Sequence, residues 1–246
     1  MLPFWIALQF LTILPIKLKR IPDPKQNAQS VLFYPLIGLL IGFILFGSSL
    51  LLFKLPTILV ASLILVLWIW LTGGLHLDGL ADMADAWVGG FGDSERTLKI
   101  MKDPACGPIG VLSLVIVCLI KFAAIYVLLE QQLYTFLIVV PAIGRSVPLF
   151  LFLTTRYVRD NGLGRSITDF IPKKAAWFVF VIIISLLCAF KWQGVISLLT
   201  FILLLFYLRT KFMQRIGGIT GDTVGAAIEL VEVGILLSFI MAIFYI

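Results

Sequence analysis

Three aspartates recur at positions 78, 82 and 85 within Gly73-Gly74-Leu75-His76-Leu77-Asp78-Gly79-Leu80-Ala81-Asp82-Met83-Ala84-Asp85. At about 100° per residue on an α-helix, positions i, i+4 and i+7 fall on one narrow face. Uncompensated anions on one face repel one another, and near lipid each also loses hydration. A bound divalent cation is the most economical reason for such an arrangement, so the spacing points to a magnesium-type carboxylate site.

A second acidic element lies near the C-terminus, where Asp222, Gly225, Glu229 and Glu232 share one helical face. Its small residues leave the backbone approachable, and its carboxylates line a groove for a helix or a ligand. Asp222 also stands where a helix N-cap would stand. Two cations, Lys121 and Arg145, interrupt apolar runs, where a charge faces a polar cavity or an anionic partner. Arg145, between Gly144 and Ser146, has room for a bidentate phosphate contact. The other reading is that it pairs with one buried carboxylate and holds two helices together. For Lys121 the choice lies between the same acidic helices and snorkelling to an interface. His76 is the only histidine, so zinc is not expected. It is either a hydrogen-bonded structural group or, two residues from Asp78, a general base or phosphate contact. Gly162-Leu163-Gly164-Arg165 gives flexible backbone beside a cation, without the Lys and Ser/Thr of a P-loop, and fits a movable lid.

The elements that position these groups follow from the medium. With 61% hydrophobic residues, 13% charged residues and a mean hydropathy of +1.11, the chain is too apolar for a soluble domain. No run shows the alternation of an outer-membrane barrel. The expectation is a single all-α, polytopic integral membrane domain over 1–246. About seven spans are expected, with a short N-terminal half-span or interfacial helix over Met1 to Ile16 that is not a secretory signal. Spans are expected at Val31 to Phe53, Thr57 to Thr72, Gly110 to Leu129 and Leu133 to Leu153. Further spans run over Ala175 to Phe190, Val195 to Leu208 and beyond Asp222. Gly89, Gly90 and Gly92 break the carboxylate helix, and Ser94 is placed to cap a short helix running towards Met101. Lys191-Trp192-Gln193-Gly194 turns one hairpin. Cys106, Cys118 and Cys188 have no metal spacing and read as reduced packing residues.

The loops at 17–30, 78–108, 155–174 and 209–222 carry 15 of the 19 Lys and Arg residues, so they are expected on the cytoplasmic side. The chemistry-bearing segments 73–108, 145, 156–174 and 217–232 would then form an active site facing the cytoplasm from a multi-pass cell membrane protein. The expected surroundings are a lipid bilayer and no nucleic acid, with a homo-oligomer left open.

Gly73-Gly74-Leu75-His76-Leu77-Asp78-Gly79-Leu80-Ala81-Asp82, followed by Asp85, resembles the signature of the cobalamin synthase family, the adenosylcobinamide-GDP ribazoletransferases. Phe10 to Pro15, Phe33 to Gly38, Ile100-Met101-Lys102-Asp103, Arg145, Gly162-Leu163-Gly164 and Gly218 to Ala226 follow in that family's order. Pro104-Ala105-Cys106-Gly107-Pro108 departs from the turn seen there more often. The resemblance implies a magnesium-requiring transferase that joins a corrinoid-GDP substrate to α-ribazole or its 5′-phosphate, releasing GMP. Set against that chemistry, the residues themselves are read with Asp78, Asp82 and Asp85 as metal ligands, and Asp222 and Glu229 on the facing helix as a second metal pole or as acceptors for substrate hydroxyls. Catalytic roles would fall to His76 as base, Asp82 and Arg145. Lys102, Asp103, Lys121, Gly162, Gly164 and Arg165 would bind substrate.

Two other classes share parts of this pattern. The CDP-alcohol phosphotransferases also use a helical Asp cluster beginning Asp-Gly, but Asp82 stands where they carry Arg, and their continuation after Asp85 is absent. A cation-coupled transporter would place carboxylates and an arginine within spans, but the two halves show no internal repeat and the acidic clusters begin at span ends.

Overall fold

The computed structural model describes residues 2–18, 20–159 and 163–245. Gly162, expected to contact substrate, lies outside the described residues. Among the described residues there is no strand, only one isolated parallel bridge between Tyr157 and Ile219. The all-α expectation is met.

Helix α1 (Leu2–Leu11) is ten residues long, about 15 Å, too short to cross a bilayer. Helix α2 (Pro24–Ser30) passes through a 3-10 turn at Val31–Phe33 into α3 (Tyr34–Leu51). This span begins earlier than expected because Asp23 and Gln26 form a reciprocal capping box around Pro24. Helix α4 (Thr57–Thr72) matches its expected bounds and ends where Gly73 and Gly74 take the left-handed conformation, with φ of 60° and 69°. Helix α5 (Leu75–Gly89), the carboxylate helix, leaves α4 at 87°. Helix α6 (Ser94–Ile100) is capped by Asp93, whose side chain accepts from the Arg96 N–H at 2.6 Å, instead of by Ser94.

Helix α7 (Pro108–Glu130) is a long apolar span. The next span breaks at Arg145-Ser146 into α8 (Phe136–Gly144) and α9 (Val147–Thr154). Pro148 has no N–H to give the Gly144 carbonyl, which accounts for the interruption. Helix α10 (Leu163–Phe170) precedes α11 (Lys173–Ser185), which tightens to 3-10 over Leu186–Phe190 before α12 (Lys191–Ile216) and α13 (Gly221–Tyr245). By length and composition five helical stretches suffice to cross a membrane, or six if the bent α4–α5 pair counts as one; the expected seven is not reached on that measure. The longest, Lys173–Ile216, nevertheless reverses at Lys191, whose φ is 53°. The rings of Phe180 and Phe201 lie 6.0 Å apart, where a straight helix would hold them about 31 Å apart, so the expected hairpin is present.

Close helix pairs set the frame. Gly38 and Gly42, one turn apart on α3, press against the α8 backbone; a Cβ on Gly38 would come within 2.5 Å of the Pro141 carbonyl oxygen. Helix α13 is more than half buried and runs through the bundle in contact with α5, α7, α8, α9 and α12. Apolar side chains on the outer faces of α3, α4, α7 and α12, such as Phe43, Val66, Leu119 and Leu203, stay exposed, as lipid-facing positions do.

Candidate active site

The carboxylate helix meets α13 at two glycines. A Cβ on Gly79 would lie 2.9 Å from the Asp222 carbonyl oxygen, and one on Gly225 would lie 3.3 Å from the His76 backbone. This approach brings Asp78 and Asp82 beside Asp222: the charges of Asp78, Asp222 and Asp85 all bear on Asp82, and Arg159 is the cation facing it. Asp222 is not the N-cap of α13. Thr220 and Thr223 fill that role reciprocally, each side-chain oxygen accepting from the other's N–H at 3.2 and 2.9 Å. Asp222 instead pairs with Arg159 at 2.5 Å, while Arg159 Nε is buried without a partner among the described residues. Two backbone hydrogen bonds, Val158 N–H to Ile219 O at 3.0 Å and Ile219 N–H to Arg156 O at 2.9 Å, fasten the Arg159 segment to the segment before α13.

Asp85 is engaged differently from its two helix neighbours. One oxygen accepts the Gly107 N–H at 2.6 Å and the other the Gly110 N–H at 2.8 Å, so it caps the first turn of α7. A Cβ on Gly107 would sit 2.5 Å from that carboxylate, so glycine in Cys106-Gly107-Pro108 serves this approach. Asp78 and Asp82 make no hydrogen bond or ion pair among the described residues, and no group of three or more His, Cys, Asp or Glu there is placed to hold a metal ion. The structure thus gathers Asp78, Asp82 and Asp222 at one mouth and commits Asp85 to backbone.

Behind this mouth lies a buried network. Lys121 Nζ contacts Glu229 at 2.6 Å and Glu232 at 2.5 Å, with the Trp68 ring 4.5 Å away, and Arg145 pairs with the other Glu232 oxygen. Two cations on two carboxylates leave the network neutral, the condition for keeping charge inside an apolar bundle. Arg145 is fully buried and Lys121 4% exposed, so both, with Glu229, are engaged by protein groups instead of opening onto the mouth. Of the two readings open for Arg145, the structure displays the carboxylate pair. Its Nη2 also lies 3.4 Å from His76 Nδ1, and its Nε has no partner among the described residues. A guanidinium only donates, so His76 Nδ1 accepts and the neutral ring carries its proton on Nε2.

A cavity of about 240 Å³ opens at the mouth, lined by His76, Asp78, Asp222, Tyr157 and Tyr34 and otherwise by apolar side chains and glycines. Burial, with the Asp222 charge beside it and against the pull of Arg159, holds the Tyr157 hydroxyl above its usual pKa, so it stays protonated and donates. Gly164 packs on the Tyr157 ring and lines the cavity, whereas Arg165 pairs with Asp169 at 3.3 Å on the exposed side of α10. Lys102 and Asp103 are exposed; the Asp103 carboxylate accepts the Ala105 N–H at 3.0 Å, and Met101, just before them, is buried against Thr220. Sequence reading missed two residues of the mouth. Arg159 went unnoticed in a generally basic loop, and Tyr157 carries no signal by spacing.

Fold and site together define an all-α, multi-pass membrane protein whose acidic and basic loops converge on a partly apolar cavity at one end of the bundle. A family model described as Cobalamin-5-phosphate synthase matches residues 3–240, and the chain belongs to that family. It is 62% identical over 245 residues to the adenosylcobinamide-GDP ribazoletransferase of Acinetobacter baumannii (strain ACICU), across 100% of this chain and 99% of the relative. The protein of the same name from Pseudomonas fluorescens (strain Pf0-1) is 52% identical over 237 residues, across 96% of this chain and 98% of the relative. No solved structure matches.

Proposed function

We propose that this protein is a membrane transferase that joins adenosylcobinamide-GDP to α-ribazole or α-ribazole 5′-phosphate, giving adenosylcobalamin or its 5′-phosphate and GMP. The observation that carries the reading is the family match along essentially the whole chain, with relatives of that name at 62% and 52% identity. It leaves the CDP-alcohol phosphotransferase and transporter readings without support of comparable length.

In the reaction a ribose hydroxyl oxygen forms a bond to the pyrophosphate phosphorus that carries the corrinoid. The P–O bond to GMP breaks, and the hydroxyl proton passes to a base. Asp78, which lines the cavity and which the protein does not otherwise engage, is the base in reach of it, with Asp82 beside it on the same helix. His76, protonated at Nε2, and the Tyr157 hydroxyl serve as donors to oxygens of the substrate, and Arg159 supplies positive charge. Magnesium, when bound, neutralises charge on phosphate oxygens; Asp78 and Asp82 suit it, since that ion takes one or two carboxylates together with phosphates and water. The excess of Lys and Arg on the converging loops supports a cell-membrane protein with this mouth on the cytoplasmic side.

The test is GMP release by purified protein in liposomes, given both substrates, with and without magnesium, beside Asp82→Asn. Release that needs both substrates and the metal, and that falls on the order of a hundredfold or more in the variant, is expected. Folded wild-type protein that releases no GMP defeats the reading.

A further inference from the structure

The cavity at the mouth is two-faced, and its division specifies an occupant. The walls from Phe10 of α1, Tyr34 of α3, Phe152 of α9 and Ile167 of α10 make its largely apolar end, and His76 and Asp78 of α5 with Asp222 of the adjoining α13 its polar end, while Tyr157 borders both, its ring 6.3 Å from that of Phe152. Flat surfaces are presented there: the Phe10 and Tyr34 rings are stacked at 5.9 Å with 24° between their planes. We propose that the apolar end seats the bicyclic benzimidazole base of the acceptor nucleoside, so that its ribose hydroxyls fall among Asp78 and Asp222. The assignment rests on the transferase reading and adds which substrate occupies which half of the site.

Size and polarity both select this occupant. At about 240 Å³ the cavity is smaller than the roughly 300–1,000 Å³ usual for drug-sized ligands, so it takes one fused ring pair with part of a sugar and excludes a corrin macrocycle. Guanine has comparable ring size, but its exocyclic amine and carbonyl need hydrogen-bond partners that Phe10, Phe152 and Ile167 do not offer, and burying them unpaired is costly. A benzimidazole has no exocyclic polar group and only one free ring nitrogen to satisfy, so it loses less against these walls. A lipid tail would match the apolar end but not the two aspartates beyond it. The guanosine diphosphate and corrinoid are thereby left to the open side of the mouth, towards Arg159.

The test combines equilibrium binding of α-ribazole with initial-rate kinetics on wild type, Ile167→Phe and Ile167→Ala. Ile167 is 4% exposed and sits on the short helix α10, away from the crowded crossing of α5 and α13. Ile167→Phe, which fills the slot, is expected to weaken α-ribazole binding and raise its KM on the order of tenfold or more, with the KM for adenosylcobinamide-GDP changed less than about twofold. Ile167→Ala is expected to admit a nucleoside with a bulkier tricyclic base that wild type rejects. A rise confined to the KM for adenosylcobinamide-GDP, unchanged acceptor binding in both variants, or failure of wild type to bind α-ribazole overturns the assignment. Binding of α-ribazole that Ile167→Phe weakens, without GMP release from wild type, supports the slot and defeats the transferase reading alone.

Discussion

At the scale of single residues, the contact between Arg145 and His76 favours one of the two jobs an imidazole can do. With Nδ1 accepting from the guanidinium, Nε2 is the protonated nitrogen, and a base needs a lone pair there instead. His76 is the only histidine, so the ¹⁵N spectrum of histidine-labelled protein holds one pair of ring signals. We expect Nδ1 in the unprotonated range and Nε2 in the protonated range, with the preference weakened in Arg145→Met. The opposite tautomer would return the base role to His76. In the same vein His76→Gln, which keeps a donor near Nε2, should lose less activity than His76→Ala. His76 and its neighbours were legible as a group because a signature stretch concentrates them. The partner of Arg145 was not, because Glu232 stands 87 residues away and a sequence does not say which buried carboxylate meets which cation.

At the scale of elements, helix existence was easier to read than helix ends. Continuous apolar runs announced α3, α4, α7 and α13, and Gly73 marked the end of α4 to the residue. The early start at Pro24 was missed although Asp23-Pro24-Lys25-Gln26 carries a capping box, because a polar first turn hides behind an apolar search. The break at Arg145 was missed because hydropathy is blind to the hydrogen bond that Pro148 removes. Helix approach, by contrast, turns on residues that contribute no hydropathy. Gly42→Leu should force α3 off α8, since a Cβ at that site would overlap the Ile138 backbone. The expected cost is about 1–3 kcal/mol or more, read as an earlier unfolding midpoint in detergent, whereas Gly47→Ala on the same helix meets nothing and should hold or slightly raise the midpoint. Equal midpoints for the two variants would mean that the α3–α8 contact is not a tight one.

At the scale of the molecule, the segments expected on one side do meet at one end. Arg159 reaches Asp222, Arg215 reaches Thr97 at 3.0 Å and the Trp87 carbonyl, and Met101 lies against Thr220. Which side of the membrane that end faces is testable through Cys106, which is exposed beside Asp85. In protein retaining it alone, with Cys118→Ser and Cys188→Ser, a membrane-impermeant maleimide should label inverted vesicles and spare right-side-out ones. The reverse pattern would invert the topology. The neutral network inside the bundle has a further consequence, for biogenesis. Lys121 enters the bilayer with α7, but its partner Glu229 follows 108 residues later. At roughly 5–20 residues per second, synthesis leaves that ammonium uncompensated for on the order of 5–20 s. A lone lysine at the centre of a span costs about 2.5–3.5 kcal/mol to insert. Helix α13 therefore completes the charge balance of the bundle: until it arrives, α7 carries an ammonium without its two carboxylates, and synthesis that stops before residue 229 leaves it so.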